Sequence, residues 1–201
     1  MTQITVTRTR RLTGTAMLAA VATVLMYLSF PLPMLIPSFI KIDFSELPAL
    51  VAAFAYGPLS GATVCLIKNL VLLVIKNSGT GGVGELSNFL LGLCFVVPAG
   101  LIYRARRTRG GALAGALVGA ASMALLSVLT NYFVIYPIYT KFMPMEAILG
   151  MYRAILPSVN TLLDALLIFN LPFTFVKGLC SVALCFVIYK PLSPFLKGLK
   201  H

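Results

Sequence analysis

Pro58-Leu-Ser-Gly-Ala-Thr-Val-Cys-Leu-Ile-Lys-Asn-Leu-Val-Leu-Leu-Val-Ile75 carries a single charge, Lys68, near its middle. A helix rises about 1.5 Å per residue, so the stretch nearly matches the roughly 30 Å of a bilayer's hydrocarbon core. Its apolar run is continuous rather than alternating, which argues for a helix and against a barrel strand. The rest of the chain reads the same way. Of 201 residues 59% are hydrophobic, the mean hydropathy is +0.97, and five Asp and Glu stand against 16 Lys and Arg, for a net charge of +11. Too few charges exist to coat a water-soluble globule. Lipid is the solvent, and a polar group inside an apolar run must have a reason to be there. At about 20 residues per crossing, the length allows about six spans with short loops. Backbone groups in lipid must be satisfied internally, so the fold class is an all-α integral membrane protein, one transmembrane domain over 1–201.

Upstream of this stretch, a short segment from about Ser45 to Tyr56 ends at the Gly57-Pro58 turn. Asp43 or Ser45 can cap it, and Glu46 and Pro48 suit its first turn. Before it, Pro31-Leu-Pro-Met-Leu-Ile-Pro37 has too many prolines for a regular helix yet is apolar, as are Phe39 and Ile40. Such a loop serves equally as a lid over a ligand or as plain packing. The first span runs from about Leu12 to Phe30. Ala16 and Ala20 share one of its faces, where small side chains let another helix come close, in this chain or in a partner. Downstream come a Gly-rich loop over 77–84 and spans at about Glu85–Tyr103 and Gly111–Ile135. Gly111, Gly115 and Gly119 recur every four residues in the latter. A mixed stretch, 136–157, and an apolar stretch, 158–171, precede a last span from Pro172 to about Tyr189. The 158–171 stretch is too short to cross alone and is read as an outer-face helix.

Charge sets the topology. With six spans and the N-terminus inside, Arg8, Arg10, Arg11, Arg104, Arg106, Arg107, Arg109, Lys190, Lys197 and Lys200 are cytoplasmic, ten in all, against four outside, Lys41, Lys76, Lys141 and Arg153. Both termini are then cytoplasmic, as the positive-inside rule requires. All five acids and the elaborated loops fall outside, so a ligand is met there. The first apolar run is long enough to remain as a span, so no cleavable signal peptide is expected.

Several functions are excluded. No basic patch stands apart from a membrane segment, which argues against nucleic acid. The only histidine is His201 and the four cysteines form no CxxC pair, so no metal site is expected. Gly79, Gly81 and Gly84 match G-x-G-x-x-G, but a membrane helix precedes them where a dinucleotide site needs a strand. No phosphate-binding loop of the Walker type and no nucleophile–base pair occurs, so no catalytic residues are assigned.

The polar groups within the spans are the candidates. Lys177 lies roughly 8 Å into the last span, counted from Pro172; it either snorkels or donates into a polar cavity. Asn131 offers donors and an acceptor to a heterocycle edge, or bonds a neighbouring helix. Glu85 and Asn88 share a helix face, although Glu85 also suits a helix start. Lys68 and Asn69 read better as a structural pair than as cavity lining.

Lys41-Ile-Asp-Phe-Ser-Glu-Leu-Pro48, Gly84-Glu-Leu-Ser-Asn-Phe89, Asn131-Tyr-Phe and Asn170-Leu-Pro-Phe-Thr-Phe-Val-Lys-Gly178 resemble the riboflavin-specific S components (the RibU family) of energy-coupling-factor (ECF) transporters, over nearly the whole chain. The resemblance implies a six-helix binding subunit of a bacterial cell membrane, not an enzyme, with riboflavin as transported ligand and no cofactor. It implies that Asn131 and Lys177 hydrogen-bond the flavin, with Glu85, Asn88 and Thr80 and Gly84 of the Gly-rich loop nearby, and Phe39 and Ile40 in a lid. It further implies that Ala16 and Ala20 meet a membrane coupling (T) subunit, which joins two ATPase subunits. An S component for another vitamin is the near alternative, and a stand-alone secondary transporter the more distant one, although the chain shows no convincing internal halves.

Overall fold

The computed structural model describes residues 8–75 and 81–197. Seven helices occur among them: α1 (Arg8–Tyr27), α2 (Glu46–Tyr56), α3 (Pro58–Ile75), α4 (Val83–Ala105), α5 (Arg109–Tyr139), α6 (Met145–Arg153) and α7. The last is built of Leu162–Ala165, Leu166–Asn170 and Leu171–Lys197 without a break. Between α1 and α2, β1 (Phe30–Pro31) pairs antiparallel with β2 (Lys41–Ile42) and closes the proline-rich segment into a flap. Helices α3, α4, α5 and α7 are long and apolar enough to cross a membrane. By contrast, α1 opens on Arg8, Arg10 and Arg11, and α2 has only 11 residues.

Short as it is, α2 lies at the centre: Glu46 through Phe54 are all buried. Its small side chains admit α3 so closely that a Cβ at Gly61 would meet the Ala49 carbonyl at 2.9 Å. Gly57, at φ 100°, makes the turn between the two helices, a conformation that favours glycine. The four-residue glycine spacing on α5 is a seam of the same kind. A Cβ at Gly115 or Gly119 would stand 2.7 and 2.5 Å from the carbonyls of Ala99 and Phe95 on α4. α1 buries Thr15, Ala19, Ala22 and Met26 and leaves Ala16 and Ala20 exposed.

Two apolar clusters result. One joins α1 to α5 and α7 around Ala49, Leu50, Phe95 and Met123; the other joins the far end of α5, α6 and the start of α7 around Tyr136, Ile148, Tyr152 and Leu166, with Phe39 and Ile40 of the flap packed on it.

The helix ends correct the sequence reading in one consistent way. The expected boundaries at Ile135 and Pro172 do not exist, because the helix runs through each proline. A proline lacks its N–H and its ring crowds the carbonyl four residues back. For Pro137 and Pro172 those carbonyls belong to Phe133 and Ile168, and each lies within a π-helical turn, Asn131–Ile135 and Leu166–Asn170. The wider turn accommodates the crowding. So 158–171 is not a separate outer-face helix; from Leu162 it is the first part of α7. The first span also ends earlier than expected, at Tyr27, with Phe30 in β1. Neither Asp43 nor Ser45 caps α2 in the usual way: Ser45 has helical φ and ψ and makes no side-chain cap.

Candidate functional site

Between the two clusters lies a cavity of ≈ 360 Å³ that draws its lining from the flap and from α1, α3, α4, α5 and α7. The size falls at the lower end of the range for small-molecule sites. Of the positions named from the sequence, Phe39, Ile40, Gly84, Glu85, Asn88, Asn131 and Lys177 all border it. Thr80 lies outside the described residues. Ala16 and Ala20 are elsewhere, on the exposed face of α1.

The π turns explain how two amides come to face this space. Each widens its helix by one residue, and Asn131 opens one while Asn170 closes the other. Both are buried and both border the cavity. Asn131 Oδ1 accepts from Ser87 Oγ at 3.4 Å. A third amide, Asn88 of α4, has its Oδ1 buried with no hydrogen-bond partner among the described residues. A buried carbonyl left unpaired costs about 1–3 kcal/mol, which a ligand donor can offset.

Lys177 differs from its expected role as an open donor. Its Nζ is 2.9 Å from Asp43 Oδ2 and 3.3 Å from Glu46 Oε2, the second an ion-pair contact without hydrogen-bond alignment. The other Glu46 oxygen is 3.0 Å from Lys68 Nζ, which also donates to Ser45 Oγ. Ser45 in turn donates to Asp43 Oδ1 through both its backbone N–H and its hydroxyl. Two cations and two anions are thus matched, so the cluster is neutral. Lys68 and Glu46 sit behind the lining; Lys177 and Asp43 form part of it. Burial alone would push the Asp43 carboxyl up. The ammonium groups of Lys177 and Lys68 outweigh it, with hydrogen bonds from Ser45 and Lys177, and hold it well below the usual carboxylate range. The structural reading of Lys68 is therefore the right one. Asn69 is not its partner: the Asn69 amide donates to the Cys65 carbonyl at 2.7 Å.

Opposite in character is an uncharged chain. Tyr152 Oη donates to Asn170 Oδ1 at 2.7 Å, and the hydroxyls of Tyr136 and Tyr152 are 2.5 Å apart. The Phe39 ring packs on Tyr139 at 5.8 Å and edge-on to Tyr152 at 6.2 Å, which holds the flap against the aromatic wall. Sequence reasoning missed Asp43, Asn170, Tyr136, Tyr139 and Tyr152 as parts of this region. A proline two residues past Asn170 inside an apolar run was the available signal for one of them.

The described residues offer no group of three or more His, Cys, Asp or Glu placed to hold a metal ion. The arrangement is a pocket that binds, with apolar walls and a few fixed polar groups. The chain matches the family described as ECF transporter, substrate-specific component, over residues 10–189. It belongs to that family. The S-component assignment makes it a multi-pass membrane subunit of a transporter and not an enzyme. It is similar to the riboflavin transporter FmnP of Bacillus subtilis (strain 168), 34% identical over 191 residues, which cover 94% of this chain and 95% of that protein. It is also similar to the riboflavin transporter RibU of Staphylococcus aureus (strain TCH60), 31% identical over 188 residues, covering 94% and 93%. A solved S component of a bacterial ECF transporter superposes with a TM-score of 0.74 at 31% identity, covering 96% of this chain and all of that one.

Proposed function

We propose that this S component binds riboflavin in the cavity and delivers it as the substrate-specific subunit of an ECF transporter. The observation that carries the reading is the convergence of three amides, on α4, α5 and α7, on one space with apolar and aromatic walls. A flat heteroaromatic ring with donors and acceptors along its edge and a polyhydroxyl tail suits such walls. The names of the relatives supply the vitamin. Asn131, Asn88, Glu85, Gly84 and Lys177 are proposed to contact it, with Thr80 adjacent and with Phe39 and Ile40 as the lid.

The chain is read as one domain over 1–201 with six crossings, by α1 to α5 and α7, and both termini cytoplasmic, while α6 lies at the outer face. The ten-to-four charge asymmetry supports that orientation. Ala16 and Ala20 are proposed to meet a coupling (T) subunit that links the S component to two ATPase subunits; their exposure supports this. Leucine at both positions should abolish uptake into cells while leaving binding by the purified protein intact. Loss of both together would instead indicate a folding defect.

The reading is tested on protein purified in detergent from riboflavin-replete cells. Flavin absorbance should stay with the monodisperse protein through size-exclusion chromatography. Monodisperse protein that carries no flavin and takes up none when riboflavin is added back would overturn it.

A further inference from the structure

Tyr152 is wholly buried, comes from the short helix α6, and does not border the cavity, yet it bonds a residue that does. A phenol hydroxyl has a single hydrogen to donate. If Tyr152 gives it to Asn170 Oδ1, the Tyr136–Tyr152 contact requires Tyr136 to be the donor. The chain then has one direction, from Tyr136 through Tyr152 to the amide carbonyl of Asn170. With its carbonyl taken, Asn170 has only its NH2 group left; one N–H is within reach of the Tyr136 hydroxyl, which leaves the other to turn toward the cavity that Asn170 borders.

We propose that Tyr152 is a positioning residue for ligand selection: it fixes the Asn170 amide so that the cavity presents a donor there, and the ligand edge facing it must be an acceptor, a carbonyl oxygen or an imine nitrogen. This deepens the riboflavin reading and rests on it for the choice of probe. Tyr152 is suited to the role because Phe39 and Phe169 pack against its ring and its hydroxyl is held between the Tyr136 hydroxyl and the Asn170 carbonyl. The same ring receives Phe39, so the flap closes on the residue that aims the amide.

The test is a double-mutant cycle of Tyr152→Phe and Asn170→Ala, with Asn170→Asp as a fifth protein, read in two ways. Riboflavin affinity should fall about five- to ten-fold for Tyr152→Phe and by more for Asn170→Ala, and the double variant should bind like Asn170→Ala alone. Asn170→Asp keeps the acceptor for Tyr152 but replaces the cavity-facing donor, so it should bind no better than Asn170→Ala. Equal losses from Tyr152→Phe in both backgrounds, or wild-type affinity in Asn170→Asp, would overturn the proposal. The melting temperatures of the ligand-free proteins give the second readout. Non-additivity there reports the Tyr152–Asn170 bond without riboflavin, and strict additivity would overturn the link. Absence of saturable riboflavin binding by the wild type would instead count against the functional reading, whatever the melting cycle shows.

Discussion

The two polar clusters beside the cavity differ in what they leave open. Asp43, Glu46, Lys68 and Lys177 match charge for charge, from the flap, α2, α3 and α7. The Tyr136–Tyr152–Asn170 chain is uncharged and ends at an amide that borders the cavity. The charges of this quartet are satisfied chiefly by one another and hold four segments together, with Lys177 and Asp43 also at the lining, while the neutral amides keep more of their hydrogen-bonding capacity for a ligand. An unmatched charge in low dielectric costs several kcal/mol, whereas an open amide costs far less and can be tolerated until a ligand arrives.

The charged side is the one whose disruption costs most. Lys68→Met leaves Glu46 with one ammonium in place of two and should cost about 3–5 kcal/mol of stability, measured by unfolding in detergent. Adding Glu46→Gln restores neutrality and should recover much of the loss; a double variant as unstable as the single would refute charge matching as the organising rule. Next comes Lys177→Ala, which removes the direct ion-pair partner of Asp43 and one member of the lining. It should reduce both melting temperature and riboflavin affinity, while Lys197→Ala changes neither; equal affinity losses in the pair would refute the placement of the site. On the neutral side, Asn131→Ala should weaken binding about ten- to one-hundred-fold, with stability changed by no more than about 1 kcal/mol. A melting loss as large as that of Lys68→Met would erase the contrast between the clusters.

The smallest effect is a flat one. Asp43 has a lowered folded value, so its stabilisation is full above the ordinary carboxylate value near 3.9 and disappears only as pH falls through the lower folded one. The melting temperature should therefore vary little from about pH 5 to pH 8 and fall below about pH 4. A midpoint of loss near pH 6 would show that Asp43 is not held by Lys177 and Lys68.

Much of this was legible in the sequence. Continuous apolar runs gave the membrane helices, and the Gly57-Pro58 pair gave the α2–α3 turn. Single polar residues inside apolar runs pointed to Asn131, Lys177 and Lys68. What was not legible had two physical causes. Pro137 and Pro172 read locally as helix ends, because proline ordinarily stops a helix; only tertiary packing shows a π turn absorbing each one, and with those turns went the placement of Asn170. The pairing of Lys177 with Asp43 spans 134 residues, and no local pattern marks it. Asp43 and Glu46 looked like helix-start residues because a carboxylate before an apolar helix usually is one. The resemblance to riboflavin-specific S components supplied the ligand, which spacing alone did not.

Titration of flavin fluorescence with the detergent-purified wild-type protein decides whether the cavity is a riboflavin site. Quenching that saturates at one riboflavin per chain, and that weakens at least ten-fold in Asn131→Ala at unchanged melting temperature, is the expected result. Quenching that rises linearly without saturation in well-folded protein, or that is identical in the two proteins, would contradict it.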